Sequence, residues 1–388
     1  MNKNKDVLLF EEITRIKMLS GEMITESELN EIDWENDFSD VSKKCITGAA
    51  LVEYLNNVLD NYEKKPKDRE KLGLDKPYIH NKRIPKKASG EIDIEVFIKN
   101  ITAMPNKLIS VNAKMEKSSG DTFISVNIGI PALRGLVYDI ENSQFYFVNT
   151  CPGAGTCAVI CYARKGSYVI YPDVFVNQTR ILNLLLNYPE RFKKLLKNEL
   201  EMIAVKNQDS SIEFRWNDAG DFFAKKYFDI ALSITKELRA DGYNINSYAY
   251  TKMGDIVNLN DPDMVVNFSM DANKRETGKV KDFGKVKKAE IVPKELFDDV
   301  FVKDEKNRNY LVDDKGKPIY KNESGPEMLK SRFGLKYGVD PTTILTYDEL
   351  LNTPEGEPLQ YNVMIAPKGE GDIGAQRSDV QYSFLMFH

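Results

Sequence analysis

Ser211-Ile-Glu-Phe-Arg-Trp216, then Asn246-Ser-Tyr-Ala-Tyr250, then Met264-Val-Val-Asn-Phe268 is the succession that decides the fold. Between the first two, Tyr227, Ile230, Ala231, Ile234 and Leu238 recur at helical spacing over about 224–239, and Gly242 stands just past the end. Short apolar strands alternating with an amphipathic helix predict parallel βα units. Working outward, helix signals cover about 174–187 and 190–205, with Pro189 placed for a helix start. Phe123 to Ile130 reads as a strand. Leu136 to Ile140 and Phe145 to Val148 flank Glu141-Asn142-Ser143-Gln144 as a hairpin that leads straight into Cys151. Gln360 to Ile365 and the tail from Tyr382 read as further strands. Only about four βα units are visible where a closed barrel needs about eight, so the expected fold is α/β with a partial or distorted TIM-barrel-like core, or an open α/β sheet.

Four regions follow. Residues 1–104 read as an N-terminal helical region with a basic linker: Leu8, Leu9, Ile13, Ile16 and Leu19 recur at roughly helical spacing, as do residues from Ala49 to Leu59. Within it, residues 64–87 hold ten Lys/Arg against three acids and read as a solvated linker in preference to a phosphate-binding arm. Residues 105–272 form the core with the cysteine loop. Residues 273–345, rich in Lys, Asp, Gly and Asn, read as a charged insertion or lid, with Phe301–Val302 and Tyr310–Val312 as a small hairpin. Residues 346–388 return to the core. The chain of 388 residues is 42% apolar and 29% charged with net charge −5, which argues against a protein built mainly to coat nucleic acid. It shows neither a signal-peptide pattern nor an apolar run of membrane-spanning length, so a cytoplasmic protein is expected.

Three of the four cysteines fall within eleven residues: Cys151-Pro-Gly-Ala-Gly-Thr-Cys157-Ala-Val-Ile-Cys161. Three thiolates this close can converge on one soft or borderline metal centre. Gly153 and Gly155 would let the backbone wrap it and turn N–H groups toward its negative charge, and Tyr162 would cover it. The spacing C-x5-C-x3-C differs from the close pairs of structural zinc and leaves the fourth ligand to the distant Cys45 or a histidine. An iron–sulfur cluster accepts wider spacings, and with three protein thiolates one iron stays open. Iron–sulfur is favoured over zinc, and zinc over unliganded cysteines. Cys45 reads as a buried apolar residue and His80 as a surface residue; His388 is a weak ligand candidate at the terminus.

The second notable stretch is Glu213-Phe-Arg-Trp-Asn-Asp-Ala-Gly-Asp-Phe-Phe223. Apolar residues end at Trp216, and Gly220 permits a sharp turn. Ligands bind beyond the C-terminal ends of parallel strands, which places Asn217, Asp218, Gly220 and Asp221 at a rim. Asp221 reads equally well as a helix cap. Thr251, Lys252, Asn267 and Ser269 end neighbouring strands on the same rim. P-loop, zincin and nucleophile-elbow patterns are absent from the sequence.

These residues carry a resemblance. Asn149 to Cys157 with Cys161-Tyr-Ala-Arg-Lys-Gly166, Phe214 to Phe223, and Tyr248-Ala-Tyr-Thr-Lys252 resemble the phage and prophage gene product eighty-eight family, over about residues 120–270 and the tail. That family is distantly similar to radical S-adenosylmethionine enzymes, which use an αβ barrel and a three-cysteine loop after the first strand. The resemblance implies a radical-SAM-like core and a [4Fe–4S] cluster on Cys151, Cys157 and Cys161. It also implies S-adenosylmethionine as a cofactor bound near Asn217, Asp218, Gly220, Asp221 and Lys252. Those enzymes usually show C-x3-C-x2-C, so the spacing here departs from theirs. The expected function is an iron–sulfur protein acting on a small-molecule substrate or serving a redox partner. The alternative is a zinc-stabilised nucleic-acid-associated protein using 64–87 and 274–288.

Overall fold

The computed structural model describes residues 38–111, 123–303, 310–314, 318–365 and 371–386. The chain divides into two compact units, residues 1–39 and 40–388, and the second carries everything below. The helix expected through Leu8 to Leu19, residues 366–370 and His388 lie outside the described residues.

Eleven strands are described: β1 (Lys43–Ile46), β2 (Phe123–Asn127), β3 (Gly135–Asp139), β4 (Gln144–Val148), β5 (Ser211–Trp216), β6 (Ile245–Thr251), β7 (Met264–Ser269), β8 (Lys287–Val292), β9 (Ile344–Thr346), β10 (Tyr361–Ile365) and β11 (Val380–Met386). Eight of them form one sheet in the order β2-β5-β6-β7-β8-β11-β10-β9, and every pairing in it is parallel. The order starts at β2 and stops at β9, so no closed barrel forms, in keeping with the α/β core expected as a partial barrel or an open sheet. β2 and β5 to β8 are laid side by side in chain order. β9 to β11 then run back from the far edge, so the order reverses between β8 and β11. In parallel sheets such a reversal opens a crevice at the carboxyl ends of the strands.

Six helices of nine or more residues are described: α1 (Gly48–Asp60), α2 (Ile94–Thr102), α3 (Pro172–Asn187), α4 (Pro189–Lys206), α5 (Lys225–Ala240) and α6 (Gly325–Tyr337). Prolines at the first turns of α3 and α4 supply the fixed φ a helix start uses and forgo an N–H that would be unpaired anyway. α5 buries Tyr227, Ile230, Ala231, Ile234 and Leu238, the stripe read from its spacing. β3 and β4 form the expected hairpin, joined by β1 into a separate antiparallel sheet. Leu51, Leu55, Phe97, Leu136, Phe145 and Phe175 bind that sheet to α1, α2 and α3 in one apolar cluster.

The structure corrects four expectations. Residues 64–87 are not a solvated linker: Leu74, Ile79 and Ile84 belong to that cluster, and Arg69 lies over the rings of Tyr62 and Tyr78. His80 is buried, with Nε2 2.9 Å from the Tyr62 hydroxyl. Cys45 is exposed on β1, because the outer face of that edge strand is uncovered. Residues 273–345 are not simply an insertion, since β8 within them lies mid-sheet. Its composition hid it: Lys287 is buried with its ammonium donating to the carbonyl oxygens of Arg377 and Val380. The small hairpin does form, through Lys303 opposite Tyr310.

The strand registers assign one face of the large sheet. Asn127, Arg215, Tyr248, Tyr250 and Asn267 share it with Ser269, Ala289, Ile291, Leu385 and Ile365. Residues 371–380 cross this face. Asn267 Nδ2 donates to Ala375 O at 3.0 Å, and Arg215 meets Asp372. This crossing is anchored by Arg377, which donates to the carbonyls of Leu350, Thr353 and Pro354 and pairs with Asp379 at 2.6 Å.

Burial alone would raise the Asp379 carboxyl, but Arg377 and the Gly356 N–H more than offset it and hold it below the ordinary range. A depressed carboxyl stabilises the fold above the unfolded pKa of about 4, and that contribution is lost as pH falls through the folded value. Asp379→Asn is therefore expected to cost about 2 kcal/mol at pH 7. The gap from wild type in urea unfolding should close below about pH 4. A gap unchanged by acid would contradict this assignment.

Candidate functional site

A cavity of about 320 Å³ opens at the carboxyl ends of the strands. Cys151, Cys157 and Cys161 line it, together with Asn217, Asp218, Gly220, Asp221 and Lys252. Three sequence-distant segments thus meet: the cysteine loop after β4, the turn after β5 and the end of β6. Ser269 also lines it, whereas Thr251 and Asn267 stand behind the wall.

The cysteine loop is docked against the strand ends by close backbone approach. Asn273 donates its N–H to Gly153 O at 2.9 Å and its side-chain amide to Pro152 O at 3.0 Å, and Ala154 bridges Ala272. A Cβ on Gly153 would lie 2.5 Å from Lys252 O, and one on Gly155 would lie 2.3 Å from Asp271 O. The glycines are thus needed for contact with the ends of β6 and β7. Gly155→Ala should push the loop off and cost about 1–3 kcal/mol. Faster limited proteolysis at the 151–165 loop checks this; unchanged protection would refute it. On the other side, Leu133 N–H donates to Cys151 Sγ at 3.2 Å.

All three thiols are free of disulfides. Burial raises each of their pKa values, that of Cys157 to about 11 despite the nearby Lys252 ammonium. Lys252 stands among Asp271, Cys157, Asp221 and Cys151. Burial would lower its pKa, but the charge of Asp271 and Asp221, with that of Cys157 and Cys151 once ionised, more than offsets it and holds the ammonium above the ordinary lysine range. Its Nζ lies 3.8 Å from Asp271.

Asp221 is not a helix cap, since α5 begins at Lys225 after Ala224. Its carboxylate accepts from the Thr251 hydroxyl at 2.6 Å, Lys252 N–H at 2.9 Å and Phe222 N–H at 2.7 Å. It therefore ties the β5 turn to the end of β6. Asn217 sits at φ 56°, a left-handed conformation that asparagine tolerates. Tyr227 donates to its Oδ1 at 2.8 Å, so its buried Nδ2 is left without a partner.

Arg215, Tyr250 and Asp271, which the sequence reading did not single out, also line the walls. Arg215 Nη1 lies 2.7 Å from Asp372 Oδ2, and Tyr248 and Tyr250 donate to the same carboxylate. Arg215 also lies over the Tyr250 ring and 3.8 Å from Asp218. Asp271 projects an unpartnered Oδ2. Tyr162 donates to Asp218 O and forms one wall, as its place beside Cys161 suggested. A charged Arg215 inside an otherwise buried strand was a signal in the sequence; Asp372, in Gly371-Asp-Ile-Gly374, gave none.

The model for the family described as Gene product 88 matches residues 106–324, more than half of the chain. The chain belongs to the Gene product 88 family. No curated protein and no solved structure matches it. The span shared with the Gene product 88 family holds the cysteine loop and the ends of β5, β6 and β7; Asp372 lies beyond it. Among the described residues, no group of three or more His, Cys, Asp or Glu side chains is placed to hold a metal ion, and no helix is long and apolar enough to cross a membrane.

Proposed function

We propose that this cavity is a redox site in which Cys151, Cys157 and Cys161 hold a [4Fe–4S] cluster and the remaining wall binds a small molecule. One observation carries the reading: three thiols, spaced five and three residues apart in the chain, open on one cavity beside the reversal of strand order. The donor set suits the group in kind. A lone ion needs its ligands around one point, while a cluster takes each thiolate on a separate iron. The cluster reading rests on the cavity the three thiols share. For zinc, the exposed Cys45 on the separate sheet is a poor fourth donor.

Such a cluster supplies one-electron transfer and, with three protein ligands, an iron open to a small molecule. The finer reading is a radical-SAM-like site with S-adenosylmethionine as that molecule. In its favour, the cysteine loop lies in the connection between the first and second strands of the parallel sheet, after the β3–β4 hairpin, and Asn217 to Asp221 follow the second strand. The chain's own residues have defined parts. Lys252 would offset the negative charge of the thiolates. Asp221 fixes the backbone that carries Lys252. Asn217 presents a donor whose orientation Tyr227 sets, and Tyr162 shields the cavity from water.

Anaerobic reconstitution of the full chain with iron and sulfide tests the reading. The expected product is brown and holds about four irons and four sulfides per chain. A colourless, iron-free product would overturn it.

A further inference from the structure

The two basic stretches lie roughly two hundred residues apart in the chain, yet both attach to the cysteine loop. On one side, Tyr78 donates to Val169 O at 2.9 Å, and Arg164, three residues after Cys161, pairs with Asp75 and with Glu70 at 3.4 Å. Arg134, next to the cavity-lining Leu133, reaches Lys76 O at 3.2 Å. On the other side, Asn273, which holds Gly153 and Pro152, is followed at once by Lys274 and Arg275. The acids of the first stretch are partly consumed: Asp75 and Glu70 face Arg164. Exposed Arg134 and the cavity-lining Lys165 therefore flank one side of the mouth, and exposed Lys274 and Arg275 the other. Between them Tyr162 lines the cavity with half of its surface open, and Tyr171 is 58% exposed further along the same segment.

Cations on both banks of a cavity with exposed aromatic rings between them match the way proteins hold single-stranded nucleic acid. Phosphates run along the basic residues, and bases stack on aromatic side chains. We infer that the substrate presented to this cavity is part of a single-stranded nucleic acid, laid across its mouth between Lys165 and Lys274. The inference rests on the reading that this cavity is the functional site, and it names the class of molecule brought there. The net charge of −5 does not oppose it, because the binding field is local to the mouth.

Fluorescence anisotropy with DNA and RNA oligonucleotides of about 15 nucleotides, on the full chain as purified, tests it. With about five phosphates neutralised, affinity should fall roughly a hundredfold between 50 and 200 mM salt. Lys165→Glu and Lys274→Glu should each weaken binding about fivefold or more, and together roughly multiply. Lys193→Glu, on the outward helix α4 where Lys193 pairs with Glu237, should leave affinity unchanged. Three results would overturn the inference. They are no binding at 50 mM salt, equal losses in all three variants, or binding to phosphatidylglycerol vesicles without binding to either oligonucleotide. The readout needs no iron. Oligonucleotide binding by a chain that takes up no cluster sinks the iron reading and leaves this one, and a brown protein that ignores both oligonucleotides does the reverse.

Discussion

Arg215→Met is expected to destabilise the fold by about 3–5 kcal/mol, the cost of stranding one partner of a buried ion pair. Asp372 is fully buried, and Arg215 is the cation that meets it at 2.7 Å. The hydroxyls of Tyr248 and Tyr250 also donate to this carboxylate, at 3.4 and 3.3 Å. Those two weak hydrogen bonds do not replace a full charge in a low-dielectric interior. The loss should appear as a lower midpoint in urea unfolding without a change of slope. Arg215→Met with Asp372→Leu should recover most of it, because removing both charges removes the desolvation cost as well. A single variant within about 1 kcal/mol of wild type would show the pair to be well solvated and contradict this account of the sheet face.

The second large effect concerns the metal. Cys151→Ala, Cys157→Ala and Cys161→Ala should each lower the iron of the reconstituted chain from about four per molecule to near none, since a three-thiolate cluster has no spare protein ligand. Cys45→Ala should keep it, because Cys45 is exposed on β1 in the separate sheet. Circular dichroism of each variant guards against misfolding, and all four should match wild type before reconstitution. Full iron retained by any of the three loop variants would remove that residue from the ligand set. Iron lost from Cys45→Ala would move the site altogether.

How much of this was legible depended on which physical signals reach the sequence. β5, α5, β6 and β7 were readable because their apolar residues keep the period of the element and because Gly242 and Pro189 mark the ends. β8 was not, since Lys287-Lys-Ala-Glu-Ile-Val292 reads as surface until its lysine is seen to donate to carbonyls of the crossing segment. The 64–87 stretch misled for a related reason. Its charges are dense, but Leu74, Ile79 and Ile84 within it point into a core built by helices and a hairpin elsewhere in the chain. At the site, the cysteines stood out by their clustering, and Asn217, Asp218, Gly220, Asp221 and Lys252 by their place at strand ends of a parallel sheet; all of them line one cavity. Asp372 was invisible, because its importance comes from residues 371–380 crossing the inner face, a matter of topology that no local pattern encodes.

The most direct test of the central claim is low-temperature electron paramagnetic resonance of the anaerobically reconstituted, reduced full chain, with and without S-adenosylmethionine. The account predicts a reduced-cluster signal that vanishes in Cys151→Ala and changes shape when the small molecule is added, as an iron open to it requires. A silent spectrum from protein that is folded and fully reduced would contradict it.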